Sequence, residues 1–360
     1  MIHEACFATE FAATNVLVPR ARRPAVQARI AAYRVPRFGV IGLKVAQVAA
    51  NRPDLPVSPR LAQVLSGALV AGTTESTEGA RASFGTVSRT PDGRCIKRTN
   101  NRFTRHWLGA AAWALNEYAP DLNELTLAPL AEEARLELER AKNTALREQL
   151  APVSAVVVPR VISSSRTEVV MDYVASTLVK DVPGTVPLAD VDKFFMRMAS
   201  TMFLSGTWHC DLHAGNVGVR RCGGETAAER GIEFVIYDFG SVRQLSLGTS
   251  AFWYRSLPGL LEAYVVGDWS DLTRQVLERG VLKRGGAEDV RRVVEGSLEY
   301  ARGKADITAL RPLFTDIKGS VALDGDIATA IAALTVLEAT CKRMNARFTV
   351  AGSLQGLRTL

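Results

Sequence analysis

A chain of 360 residues with 47% hydrophobic and 22% charged residues has a globular composition, which excludes a disordered protein. Lys+Arg number 44 and Asp+Glu 37, a formal net charge of +7, and a single segment holds the whole excess. Between Phe11 and Pro53 there is no acidic residue but there are eight basic ones (Arg20, Arg22, Arg23, Arg29, Arg34, Arg37, Lys44 and Arg52), so the remainder sums to −1. A near-neutral body with one basic segment is unlike a nucleic-acid coat, which spreads charge over its binding face, so no nucleic-acid partner is expected.

The five cysteines (6, 95, 210, 222 and 341) are scattered and odd in number, which argues against a disulfide scaffold and for a reducing compartment. No apolar run reaches the roughly 18–20 residues of a membrane helix. The best one, Ile327 to Leu337, is followed by Glu338, Lys342 and Arg343. The start carries Glu4 and Glu10 and lacks the apolar core of a signal peptide. The expectation is an intracellular, non-secreted protein without a transmembrane helix. The Arg-rich stretch has transit-peptide colouring, but it begins late.

In chain order, Phe38 to Asn51 reads as a short helix with Ile41, Val45 and Val48 on one face, bounded by Pro36 and Pro53. Pro59 to Val70 reads as a second helix, and the small, polar segment after it as a loop or linker. Two β-rich runs flank Pro91-Asp92-Gly93 and predict a hairpin. A Glu/Leu/Ala-rich helix is expected from about Leu122 to Leu150. Ala155–Val161 and Glu168–Val174 read as strands on either side of a polar turn. Beyond Asp190 the pattern is mainly helical, with NVGVR and EFVIYDFG as short strands. A smaller mixed half therefore precedes a larger helical half, and ligands bind in clefts between such lobes.

The chemistry concentrates in TWHCDLHAGNVGV, residues 207–219, and in Asp238-Phe239-Gly240. Asp211 and Asn216 lie five apart on a loop, and Asp238 follows a strand. This is the layout of a phosphotransferase site. Asp211 is read as catalytic base. Asn216 and Asp238 are read as ligands to Mg²⁺, a cation that takes hard oxygen donors. The polar stretch between Asn216 and Asp238 reads as a hairpin insertion. Zinc at His209 and His213 would need a Cys pair that is absent, so His209 is read as a loop brace.

Lys97, on the strand after the Pro-Asp-Gly turn, is placed to reach the α- and β-phosphates of ATP or ADP. Glu133, Glu137 and Glu139 all qualify as its partner, and Glu137 is placed in the site. Val169–Val174 would lead into a hinge where backbone groups of Asp172 and Val174 meet adenine, and an ordinary edge strand fits the same residues. The phosphate-covering loop is unusual. Gly79-Ala80-Arg81-Ala82-Ser83-Phe84-Gly85-Thr86-Val87 has alanines where glycines are usual. Their Cβ atoms limit backbone approach to phosphate. Ala80, Ala82, Ser83 and Val87 are the residues expected at the nucleotide.

Together these residues resemble the AarF/UbiB/ADCK family of atypical kinase-like proteins, from about Gly39 to about Leu282. Ala80–Val87 is similar to the family's alanine-rich loop. His209, Asp211, His213, Gly215 and Asn216 match its His-x-Asp-x-His-x-Gly-Asn. Lys44-Val45-Ala46-Gln47, followed by Arg52-Pro53-Asp54-Leu55, resembles its Lys-x-Gly-Gln signature. Three departures stand out: Ala46 replaces a glycine, Arg81 replaces an alanine, and the family's Glu-x-Asp is blurred to Glu137-Leu138-Glu139.

The resemblance implies an α+β, two-lobed protein-kinase-like fold with a helical N-terminal extension over the cleft. Residues 1–75 would be that extension, 76–175 the N-lobe and 176–360 the C-lobe. Lys44 and Gln47 would share the helix face that plugs the site, so a protein substrate is not expected. It further implies ATP and Mg²⁺ dependence and a link to quinone or other isoprenoid lipids. Two alternatives stand beside it: a small-molecule phosphotransferase of the aminoglycoside/choline kinase type, and a nucleotide-switched pseudokinase or lipid-binding scaffold. Arg20–Arg37 read as a peripheral contact with anionic membrane or as a solvated arm.

Overall fold

The computed structural model describes residues 80–82, 85–98, 135–153, 155–221, 231–246 and 325–350. It also describes short pieces at 282–284, 322–323 and 352–353, and positions 18, 19, 22, 26, 30, 132, 288, 292 and 295. The expected helices at 38–51 and 59–70 lie outside these residues, as do Lys44, Gln47, Ser83 and Glu133.

The first half forms an antiparallel sheet around the predicted hairpin. Strand β1 spans Ala80–Ala82, β2 Gly85–Arg89 and β3 Arg94–Arg98. The connection between β2 and β3 is the Pro-Asp-Gly turn, with Gly93 at φ 75°, a left-handed conformation glycine adopts at no steric cost. Thr90 closes it by donating its hydroxyl to the Arg94 carbonyl at 3.1 Å. Strands β5 (Val161–Ser164) and β6 (Glu168–Asp172) complete the sheet in the order β1-β2-β3-β6-β5. Alternation along β3 turns Lys97 inward at 4% exposure while Arg98 stays at the surface, where it pairs with Glu168.

A 3₁₀ turn at Leu136–Leu138 leads into helix α1, Glu139–Leu150, which buries Glu139, Asn143, Leu146 and Leu150 against the sheet. Ala155–Val161 is not one strand. Only β4, Val156–Val157, is regular before Pro159. Proline has no N–H to give a ladder, and its carbonyl instead accepts a bond from Asn143 Nδ2 at 2.8 Å. Asn143 Oδ1 accepts the Val161 N–H at 2.9 Å, so one buried amide side chain ties α1 to the start of β5.

The second half is built on α2, Leu188–Ser205. Its buried residues are Val191, Phe194, Phe195, Met198, Ala199, Met202 and Phe203, an i, i+3, i+4, i+7 stripe. Each large side chain buried there contributes about 1.5–3 kcal/mol. Phe194 stacks on Phe234 with centroids 4.4 Å apart, and Phe203 meets Trp208 edge to face at 5.3 Å. Gly206, at φ 70°, ends the helix by returning its N–H to the Met202 carbonyl.

Short strands follow: β7 (Thr177–Leu178), β8 (Thr207–His209), β9 (Val217–Arg221), β10 (Ile232–Ile236) and β11 (Val242–Gln244). Strands β9 and β10 pair antiparallel, β10 runs parallel to β4, and β8 pairs with β11. The two predicted strands around the insertion are thus present. Two further short strands, β12 (Leu282–Arg284) and β13 (Ala322–Leu323), pair antiparallel. The apolar run at 327–337 lies in helix α3, Gly325–Met344, which packs on α2. Among the described residues no helix is long and apolar enough to cross a membrane.

Candidate functional site

Three charged side chains from distant segments meet at the junction of the halves. Lys97 Nζ on β3 lies 2.7 Å from Glu139 Oε1 on α1 and 2.8 Å from Asp238 Oδ1 after β10. Exposure of the three side chains is 5%, 0% and 13%. Burial opposes the lysine charge, but the Asp238 and Glu139 carboxylates outweigh it and hold the pKa well above the usual lysine range. Burial pushes the Glu139 carboxyl up, with Lys97 pulling the other way. Two carboxylates within 2.8 Å of one ammonium decide for a charged Lys97. Glu139 Oε2 is buried without a hydrogen-bond partner, so ionised Glu139 depends on that lysine.

The partner of Lys97 is therefore Glu139, which corrects the placement of Glu137. Glu137 sits in the 3₁₀ turn before α1, faces Arg135 at 3.5 Å, and gives its backbone carbonyl to Ser164. Residues two apart on a helical path point to different faces, so only one of the two can meet Lys97.

Asp238 has φ 58° and ψ 89°, a left-handed backbone uncommon outside glycine and costing about 1–3 kcal/mol. Such strain persists only where neighbours over-determine it. Phe239 and Gly240, next in the chain, are fully buried, and the Ser241 carbonyl accepts the Cys210 N–H at 3.2 Å. On α1, Lys142 donates to the Gly240 carbonyl at 2.6 Å and pairs with Glu132 at 2.7 Å.

The second part of the site is the loop after β8. His209 is fully buried and burial lowers its pKa, so it is neutral. Its Nδ1 accepts the Asp211 N–H at 3.3 Å and its Nε2 donates to the Tyr237 carbonyl at 3.0 Å. Both ring nitrogens are thus engaged in bracing. His213 Nδ1 accepts the Gly215 N–H at 2.9 Å, and its Nε2 lies 3.8 Å from Asp211 Oδ2. A Cβ on Gly215 would come within 2.7 Å of the His213 ring.

Asn216, 7% exposed, donates its Nδ2 to the Asp211 carbonyl at 2.9 Å, which leaves Oδ1 as the atom suited to a cation. Its own carbonyl accepts the Tyr237 N–H at 2.9 Å, which sets it beside the residue preceding Asp238. Helix α3 supports the loop from behind, with Thr340 Oγ1 donating to the Leu212 carbonyl at 2.7 Å. The Cys210 thiol is pushed up to about 12 by burial and is inert.

The expected nucleotide residues are distributed along the same sheet. Ala80 and Ala82 pair with Val87 and Gly85, so the alanine stretch is a strand of a tight hairpin, and Val87 is the register partner of Lys97. Asp172 closes β6, and its side chain meets Arg160 at 3.3 Å. The Val174 carbonyl accepts the Tyr237 hydroxyl at 2.8 Å, and Ser176 Oγ lies 2.8 Å from that hydroxyl. Gly218 makes room for this cluster, since a Cβ there would collide with the Ser176 side chain.

Sequence reasoning missed Lys142, Asn143, Tyr237 and Thr340. The one available signal was a buried-type Asn in a helix interior, four residues after Glu139.

Residues 109–271 match the family model of the ABC1 atypical kinase-like domain. With the sheet, helix and Lys97–Glu139–Asp238 arrangement above, the fold is α+β and protein-kinase-like. A protein of Paramecium bursaria Chlorella virus 1, named as ABC transporter A445L, is 26% identical over 156 residues, 43% of this chain and 30% of that protein. The chain thus spans less than a third of that relative. Among solved structures, Rv3197 of Mycobacterium tuberculosis in complex with erythromycin is similar at 17% identity and TM-score 0.43, over 73% of each chain. A Rio2 kinase–ADP/Mg²⁺–phosphoaspartate complex from Chaetomium thermophilum is similar at 17% identity and TM-score 0.30, over 82% of this chain and 76% of that one.

Proposed function

We propose that this chain is an ATP- and Mg²⁺-dependent atypical kinase or ATPase of the UbiB/ADCK type. The observation that carries it is Lys97 Nζ held between Glu139 and Asp238, with the Asp211–Asn216 loop seated against the same turn. An ammonium fixed by two carboxylates presents a rigid positive charge to phosphate oxygens. Asp238 and Asn216 offer a carboxylate and an amide oxygen on adjacent backbone, a donor set that fits Mg²⁺. Held by these two residues, Mg²⁺ would supply charge neutralisation for the phosphate oxygens. Asp211 accepts or orients the proton of the attacking hydroxyl, and His209 holds its backbone for that task. The alanine strand, with Ser83 after it, would lie over the phosphates. Asp172 and Val174 would meet the base.

Quinone or isoprenoid lipid chemistry remains the substrate class implied by the resemblance to the UbiB/ADCK family. Peripheral contact of Arg20–Arg37 with anionic lipid accords with it. The test is Mg²⁺-dependent hydrolysis of ATP by the purified protein. Asp238→Asn should lower turnover about 10²–10³-fold. Unchanged turnover would sink the metal assignment, and a wild-type protein that neither binds nor hydrolyses Mg·ATP would sink the function.

A further inference from the structure

The Asp238–Phe239–Gly240 turn is held from helix α1 at both ends. At its start, Glu139 grips Lys97, and Lys97 grips Asp238 Oδ1. At its end, Lys142 Nζ donates to the Gly240 carbonyl at 2.6 Å. Glu139 and Lys142 are three apart and so share one helix face. Lys142 is 13% exposed, and its charge is balanced by Glu132 Oε1 at 2.7 Å. The other oxygen of Glu132 reaches Arg243 Nη2 at 3.4 Å, on the strand that leaves the turn. One carboxylate thus bridges the cation on α1 and the cation on β11.

We propose that Lys142, backed by Glu132, is a positioning residue that fixes the far end of this turn and so keeps Asp238 in its left-handed conformation. The inference rests on the phosphotransferase reading only for its catalytic consequence. Gly240 is buried, and glycine allows its peptide plane to rotate. The ammonium on its carbonyl fixes that plane. Releasing it frees Asp238 to relax toward ordinary φ, which withdraws a carboxylate oxygen from the metal position while the Lys97–Glu139 pair stays in place.

Two readouts on the full-length protein test this. Hydrogen exchange of the 238–243 amides reads the turn directly and needs no activity. Lys142→Met should accelerate it, Glu132→Gln should do so less, and Lys142→Arg should restore protection. Turnover reads the consequence. Lys142→Met should lower kcat about tenfold or more, with the KM for ATP little changed and a higher Mg²⁺ requirement, and Lys142→Arg should recover most of it. Unchanged exchange in Lys142→Met overturns the proposal, whatever the activity. Accelerated exchange with wild-type turnover overturns the positioning role. If wild type itself turns over no ATP, the functional reading fails while the exchange result still decides the clamp. If Lys142→Met does not fold, Glu132→Gln against wild type carries the same comparison, and unchanged exchange there overturns the proposal.

Discussion

The two halves of the site are held by different physics. Lys97, Glu139 and Asp238 come from segments 42 and 141 residues apart and meet through charge in a buried setting. Asp211 and Asn216 are neighbours in sequence, held by backbone bonds, a neutral imidazole and a side-chain amide. The first arrangement depends on the balance of one cation against two anions. The second depends on hydrogen bonds whose members are nearly all uncharged. Damage to the first should therefore respond to pH and spread through the fold, whereas damage to the second should stay local.

The largest effect tests the charge balance. Lys97→Met leaves two carboxylates facing each other in a buried site and should cost about 3–5 kcal/mol, read as a lower urea midpoint. The deficit should shrink on going from pH 8 to pH 5. Without the lysine, burial alone acts on the Glu139 carboxyl and holds it above its unfolded pKa, so its penalty is greatest at high pH and fades as it takes a proton. A pH-independent deficit would break the comparison.

Next is Asn143→Ala, which strips partners from the Val161 N–H and the Pro159 carbonyl and should cost about 2–4 kcal/mol. Because Glu139 lies one turn earlier on the same helix, turnover should fall with it. Gly218→Ala is smaller, about 1–3 kcal/mol: the Ser176 hydroxyl can rotate away at the loss of its bond to Tyr237, but the Ser176 Cβ would still lie 2.9 Å from the new methyl group and the backbone must give.

The smallest concerns the local half. The folded-state pKa of His209 lies below its unfolded value, so the unfolded chain binds more protons as pH falls below about 6.5. Wild type should lose stability there by at most about 1.4 kcal/mol per pH unit. His209→Asn should lack that component in denaturation curves taken at pH 7.5 and 5.5.

How much was legible follows the same division. The hairpin around Pro91-Asp92-Gly93, β9, β10 and the Asp211–Asn216 loop were readable because turn chemistry and short spacing are local. So was a smaller mixed half before a larger helical half, whereas the kinase-like fold was implied by the family resemblance of the motifs. The partner of Lys97 was not. Three glutamates competed on one helical stretch, and the start of α1 at Glu139, which selects among them, depends on packing. Pro159 cut a β-rich run whose residue types all favour strand. Lys142, Tyr237 and Thr340 act on carbonyls far off in the chain, and no spacing rule announces such a contact.

Thr340 carries a consequence for how the protein is made. Its hydroxyl is a donor to the buried Leu212 carbonyl, and it stands 128 residues later in the chain. As synthesis proceeds from the N-terminus, Asp211 emerges long before its support does. Until α3 has emerged and docked, the loop lacks that support, so the nascent polypeptide cannot complete the Asp211 loop before residue 340 has been made.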